Sequence, residues 1–293
     1  MTRIEQFGWR GAAEPGIGRV VSAHGDYYHL VCNEQPAGEI LARKKKSAFM
    51  RMKTSSPVNM KGRKVSEERA ELPPQPITGD FVRFRYNAQG ESMITEVLPR
   101  FSHFERKDPT AKRTSQTLAV NFDTLFVMMS LNENFSTARI RRYLDLAKDM
   151  GAAEAVVVVT KVDLRQNGDE EFFDELREEV GNDARILEIS SLTGEGMGEV
   201  AGYATPGRTL AFIGSSGVGK STLLNTLMGE EWQATQEIQE WSGKGRHTTT
   251  SRELVMLPSG AMVIDTPGIR EIGMVGEQDC LQAKGESTHR YRK

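Results

Sequence analysis

The run Gly214-Ser215-Ser216-Gly217-Val218-Gly219-Lys220-Ser221 decides how this chain is read. It fits the spacing G-x-x-x-x-G-K-[ST]. Thr209 to Ile213 before it reads as a short apolar strand, and Lys220 to Met228 after it reads as a helix. A strand that turns through glycines into a helix aims several backbone N–H groups at one point. The positive end of the helix dipole falls on the same point. That geometry suits a phosphate chain. Gly214, Ser215, Ser216, Gly217, Val218 and Gly219 would form the cradle, with Thr222 beside it on the first helical turn. Lys220 would reach the β- and γ-phosphates and take part in catalysis, and the Ser221 hydroxyl would ligate Mg²⁺.

Upstream, Thr160-Lys161-Val162-Asp163 closes the apolar run Ala155 to Val159. A carboxylate there can accept from both N1–H and the N2 amine of guanine. Adenine offers neither donor, so Asp163 is the expected base reader. Lys161 would lie across the ring plane, with Thr160 and Val162 completing the motif. Ser190-Ser191-Leu192-Thr193-Gly194 follows the next strand. There Ser190 and Ser191 would offer an N–H or hydroxyl to the guanine O6. Downstream, Asp265-Thr266-Pro267-Gly268 ends the strand Met262 to Ile264. Asp265 would hold Mg²⁺ through water, and the Gly268 N–H would sense the γ-phosphate. The loop Gly245-Arg246-His247-Thr248-Thr249-Thr250 precedes it, and Thr249 or Thr250 would complete the Mg²⁺ shell.

From Asn121 onward, strands and helices alternate. Phe122 to Met129 is an apolar strand. Ser136 caps an expected helix running to Met150, with Ile140, Tyr143, Leu144 and Ala147 on one face and Gly151 ending it. Asp169 to Val180 is an acidic helix stopped by Gly181, and Ile186 to Ile189 is another strand. This pattern predicts a doubly wound α/β domain. The motifs are all those of a guanine-nucleotide switch, but in rotated order, with the base-reading motifs ahead of the phosphate loop. A circular permutation accounts for this.

Five short strand-like runs precede that domain, at Gly18 to Ala23, Tyr27 to Cys32, Gly38 to Arg43, Asp80 to Tyr86 and Ser92 to Leu98. They suggest a small β-barrel of the OB type. Lys53 to Ile77 reads as a basic loop between the third and fourth. Tyr27, Tyr28, Phe81, Phe84 and Tyr86 are candidate base-stacking residues, or barrel core. The expected divisions are 1–107 for the barrel, 108–276 for the permuted domain and 277–293 for a tail.

The 293 residues carry a formal net charge of −2, which hides an asymmetry. Up to Arg113 there are 20 Lys+Arg against 13 Asp+Glu, and beyond it 18 against 27. A basic module joined to an acidic one points to a polyanion partner for the first. Cys32 and Cys280 are the only cysteines, which suits a reducing, cytoplasmic setting without a disulfide framework. The longest apolar run, Ala155 to Val159, is far too short to span a bilayer, and no membrane role is expected.

A barrel followed by TKVD, SSLTGEG, GSSGVGKS, GRHTTT and DTPGIRE resembles the bacterial RsgA/YjeQ family of circularly permuted GTPases. The resemblance covers roughly Gly16 to Met274. It implies GTP and GDP binding with Mg²⁺, and hydrolysis stimulated by the small ribosomal subunit during late assembly. It also implies contact of the barrel with ribosomal RNA, and a monomer is expected. Family members carry a histidine in the threonine loop that is proposed to assist hydrolysis, which maps to His247. Two departures stand out. The base-reading motif starts with Thr160 where the family usually has Asn, which should weaken one supporting hydrogen bond. The family's C-x4-C-x-H-x5-C zinc pattern is not matched around Cys280, so the C-terminal zinc module is expected to be absent. Ile269 follows the DTPG motif and cannot orient a water, so hydrolysis without a partner should be slow. Two alternatives stay open: a GTPase of large-subunit assembly, and an RNA-binding module whose nucleotide domain is largely non-catalytic.

Overall fold

The computed structural model describes residues 1–49, 73–107, 115–131, 136–151, 153–229 and 253–265. A short N-terminal helix α1 (Arg3–Gln6) leads into β1 (Ile17–His24), β2 (Tyr27–Cys32) and β3 (Ile40–Lys44). Helix α2 (Lys46–Phe49) follows, then β4 (Phe81–Arg85) and β5 (Ser92–Val97). These strands close in the order β1-β2-β3-β5-β4-β1. β3 and β5 run parallel, and the other pairs are antiparallel. That is an OB-type barrel. Its interior follows the two-residue period of each strand. Tyr28, Leu30 and Cys32 from β2 meet Ala42, Val82, Phe84 and Ile94, and Phe49 of α2 joins this core.

The second unit begins with β6 (His103–Lys107) and β7 (Ser115–Val120), which pair as a two-stranded ribbon. Then come β8 (Thr124–Ser130), α3 (Thr137–Ala147), β9 (Glu154–Thr160), α4 (Glu170–Val180), β10 (Arg185–Ile189) and α5 (Met197–Tyr203). β11 (Thr209–Ile213), α6 (Lys220–Met228), β12 (Glu253–Met256) and β13 (Met262–Asp265) complete it. The sheet order is β10-β9-β8-β11-β13-β12, parallel except for the antiparallel edge strand β12. Helices cover both faces. Val157 and Val159 of β9 pack with Ile140, Tyr143, Phe173 and Leu176 from α3 and α4. Val156 and Val158 pack on the other side with Val200 of α5 and Leu223 of α6. A strand buried on both faces must be continuously apolar, as β9 is. Each such valine contributes about 1.5–3 kcal/mol of burial.

Counted from β11, the sheet reads 2-3-1-4-5-6, with β8, β9 and β10 as its last three strands. The sheet is therefore complete although the chain enters it at the fourth position. The direction of winding reverses between β8 and β11, which is where such sheets bind ligands, beyond the carboxyl ends of the strands.

One expected bound shifts. Helix α3 ends at Ala147 rather than Met150. Lys148 and Met150 donate to carbonyls only three residues back, which tightens the last turn. The Met150 carbonyl then accepts from His103 N–H, and Gly151 pairs with Ser102, so the chain is drawn off the helix axis toward β6. β6 pairs with β7, and Phe104 is buried in the α/β core. Loop residues 50–72 and the tail 277–293 lie outside the described residues.

The two units share a buried polar joint. β1 extends the α/β sheet by pairing Ser22 with Glu253 on β12. Arg19, on the outer face of β1, is fully buried. Its Nη1 donates to Phe7 O (2.5 Å) and Thr209 Oγ1 (3.0 Å) and lies 3.4 Å from Met262 Sδ. Nη2 donates to Asn121 O at 2.8 Å and Nε to Gly79 O at 3.3 Å. The guanidinium carbon lies 4.8 Å from the Phe81 ring centroid. Burial pulls the Arg19 pKa down to about 9, against the pull of Asp123 and Asp80, so it stays charged at neutral pH. Among the described residues no helix is long and apolar enough to cross a membrane.

Candidate nucleotide site

The phosphate loop is shaped by one steric demand. Gly214 has φ of 154°, and a Cβ there would lie 2.5 Å from the Met128 carbonyl oxygen and 2.9 Å from Val218 Cγ2. Only glycine lets β11 turn this close to β8. Val218 is buried and anchors the far side of the loop, while Ser216 and Gly217 are exposed. Gly219, in the left-handed region, opens α6. The first N–H groups of that helix face the loop's concave side, where an anion is favoured. Lys220 Nζ donates to the Gly214 and Ser215 carbonyls at 2.5 and 2.7 Å, which holds its ammonium over the cradle. Ser221 and Thr222 sit exposed on the first turn.

The base-reading motif is built by alternation. Thr160 and Val162 are buried and hold the segment, whereas Asp163 is exposed. Lys161 takes the left-handed conformation (φ 61°), unusual for a residue with a side chain and found disproportionately at functional sites. Its Nζ donates to Gly217 O at 3.0 Å, bringing the lysine against the phosphate loop. Thr160 Oγ1 lies 2.7 Å from Val218 O and 3.2 Å from Met129 O. The Thr160 hydroxyl thus reaches the phosphate loop directly.

Ser190 does something the sequence did not show. Its hydroxyl lies 2.6 Å from Asp163 Oδ1 and accepts from the N–H groups of Leu192 (3.2 Å) and Thr193 (3.1 Å). These two donors leave the hydroxyl proton to point at the carboxylate. Ser190 thus holds Asp163 in place rather than presenting its hydroxyl to a base. The Ser191 N–H has no partner among the described residues and remains the candidate for O6.

Strand register brings these parts together. Ser130 pairs with Thr160, Thr160 with Ile189, and Val127 with Ile213. Ala211 pairs with Ile264, so Asp265 ends β13 at the same edge as Gly214. The described donors fit a nucleoside triphosphate with Mg²⁺: a backbone cradle, an ammonium over it and a hydroxyl at Ser221, with the Asp265 backbone ending a neighbouring strand. His247, Thr249, Thr250 and Gly268 lie outside the described residues. Of the five candidate stacking aromatics, Tyr28, Phe81 and Phe84 are buried, and only Tyr27 (38%) and Tyr86 (39%) are exposed.

A family model described as RsgA GTPase matches residues 97–275. A small ribosomal subunit biogenesis GTPase RsgA 2 of Lactiplantibacillus plantarum is 38% identical over 258 residues, 87% of this chain and 66% of that protein. An RsgA of Leptospira interrogans is 41% identical over 202 residues, 69% of this chain and 55% of the relative. An RsgA 1 of Listeria monocytogenes is 34% identical over 271 residues, 92% and 70% respectively. The chain thus spans 55–66% of the length of the first two. Among solved structures, YjeQ from Thermotoga maritima superposes with a TM-score of 0.59 at 25% identity, covering 86% of this chain and 74% of that one. YloQ, described as a circularly permuted GTPase, gives 0.55 at 21%, covering 88% and 74%, and shows the shared fold. With the barrel, the rotated sheet order and the two facing motifs in place, the chain belongs to the RsgA GTPase family.

Proposed function

We propose that this chain binds GTP with Mg²⁺ and hydrolyses it when stimulated by the small ribosomal subunit, as a late factor in that subunit's assembly. One observation carries this reading: Asp163, fixed by Ser190, stands beside a phosphate loop to which Thr160 and Lys161 are bonded. A phosphate cradle alone would accept any nucleotide. A carboxylate held at a fixed distance from it selects guanine, since adenine would leave that carboxylate without donors.

In this reading, Gly214 to Gly219 hold the phosphates through backbone N–H groups, and Lys220 turns from its loop carbonyls to the β- and γ-phosphates. Ser221, Asp265, and Thr249 or Thr250 would hold Mg²⁺, which would supply positive charge to the transferring phosphoryl group. Gly268 reports the γ-phosphate. His247 is assigned to positioning the attacking water, a task that Ile269 cannot perform. Turnover by the isolated protein is then on the order of 10⁻⁴ to 10⁻² s⁻¹, as for unstimulated GTPases. The basic barrel contacts ribosomal RNA, and the protein works as a cytoplasmic monomer. Hydrolysis measured with and without purified small subunits tests this directly. Stimulation by small but not large subunits, lost in His247→Ala, is the expected result. Equal turnover of GTP and ATP, or no response to small subunits, would overturn it.

A further inference from the structure

A row of four side chains crosses the outside of the barrel. Strand register sets Tyr27 opposite Arg43, Arg43 opposite Met93, and Met93 opposite Arg85. Their chain neighbours Tyr28, Ala42, Ser92 and Phe84 are buried, so the two-residue period turns all four outward. All four are exposed, Met93 by 45%. With neighbouring strands about 4.8 Å apart, the row is roughly 14 Å long.

Its chemistry alternates between an aromatic ring, a guanidinium plane, a thioether and a second guanidinium. The Arg43 guanidinium carbon lies 4.2 Å from the Tyr27 ring centroid, and Arg43 also bonds the Tyr27 hydroxyl, which fixes the ring. Two carboxylates adjoin the row, and both are engaged: Glu91 with Arg43 at 2.7 Å and Asp26 with Lys44 at 3.3 Å. Arg85 has no ion-pair partner among the described residues, and Lys45 and Lys46 stand exposed just beyond β3. Rings and guanidinium planes stack on the faces of bases, and the surrounding cations follow a phosphate backbone. A duplex hides base faces inside its own stack, whereas an unpaired strand presents them.

We propose that Tyr27, Arg43, Met93 and Arg85 form a stacking platform for unpaired nucleotides of an RNA strand, with Lys45 and Lys46 holding its phosphates. This rests on the assignment of RNA contact to the barrel and names the form of RNA and the residues that take it. Fluorescence anisotropy of the full chain with a labelled short oligouridylate, and with an RNA duplex of equal length, tests it. Guanine-nucleotide titration of each variant verifies that the fold is intact. Tyr27→Ala should weaken oligouridylate binding by about 5- to 150-fold, leave the duplex within about twofold, and be rescued by Tyr27→Phe. If Tyr27→Ala has no effect on oligouridylate, or lowers both RNAs equally, the platform is refuted while RNA binding by the barrel survives. Should the wild-type chain bind guanine nucleotide but neither RNA, the platform and the barrel assignment fall together.

Discussion

The barrel and the α/β domain put function in opposite places. In the α/β domain the strands are buried on both faces, and their side chains are consumed by packing, as Val156 to Val159 are. Chemistry is left to the strand ends, where backbone groups and a few fixed side chains meet. In the barrel β1 is buried on both faces from Ile17 to Val21, but parts of the outer faces of β2, β3, β4 and β5 are left exposed. Tyr28 points in and Tyr27 points out, so the strand faces themselves can carry ligand-facing groups. A ligand site of the first kind should be sensitive to loop geometry, and one of the second kind to surface side chains one at a time.

The strongest way to break this comparison is at the joint. Arg19→Met would leave the carbonyls of Phe7 and Asn121 and the Thr209 hydroxyl without their buried donor, while Gly79 O keeps the Asn121 amide. A loss of about 3–5 kcal/mol is expected, from unpairing a buried polar network. Urea unfolding followed by tryptophan fluorescence and by circular dichroism should then give two separated transitions in place of one. Coincident transitions with an unchanged midpoint would show that the two regions are not joined through Arg19.

Next in size is Lys220→Ala. Removing the Lys220 ammonium should weaken guanine-nucleotide affinity at least about a hundredfold, the effect of truncating one partner of a close charge pair. RNA binding by the barrel should be unchanged in the same protein. Thr160→Val keeps the shape but removes the hydroxyl whose single proton serves the Val218 carbonyl at 2.7 Å, leaving that carbonyl short of a donor. The expected cost is about 1–3 kcal/mol, read as a lower denaturation midpoint. That loss would mark the phosphate loop and the base-reading loop as one mechanical piece.

The mildest change sharpens the picture most. Asp163→Asn should nearly erase the preference for GTP over ATP. Ser190→Ala, which only frees the carboxylate, should lower GTP affinity by about 2- to 10-fold, the range of one lost hydrogen bond. Competition calorimetry with the two nucleotides separates these outcomes. A Ser190→Ala protein as unselective as Asp163→Asn would mean that Ser190 meets the base itself.

Much of the α/β domain was legible because its signals are local. Thr209–Ile213 and Lys220–Met228 carry the strand and helix bounds read from the chain, since a glycine-rich turn punctuates them. β6, β7, β12 and α5 were not legible. They are short, and their hydrophobic positions are satisfied by distant partners, as Phe104 is by the α/β core. The barrel strands were readable from alternation, but alternation alone could not tell Tyr27 from Phe81. Phe81 lies on the outer face of its strand yet is buried, with the Trp9 ring 5.0 Å away and Arg19 over it.

The glycine-rich turn between a strand and a helix, the rotated order of motifs and the barrel's strand count could be read from the chain alone. Each depends on residues close together in the chain, whose spacing alone limits the backbone. Only the tertiary structure decided that Ser190 serves Asp163, that Thr160 reaches the phosphate loop, that a charged arginine fills the joint, and that four side chains from four strands form one row. Those facts depend on register between segments far apart in the chain, and register is set by how whole strands bury their faces.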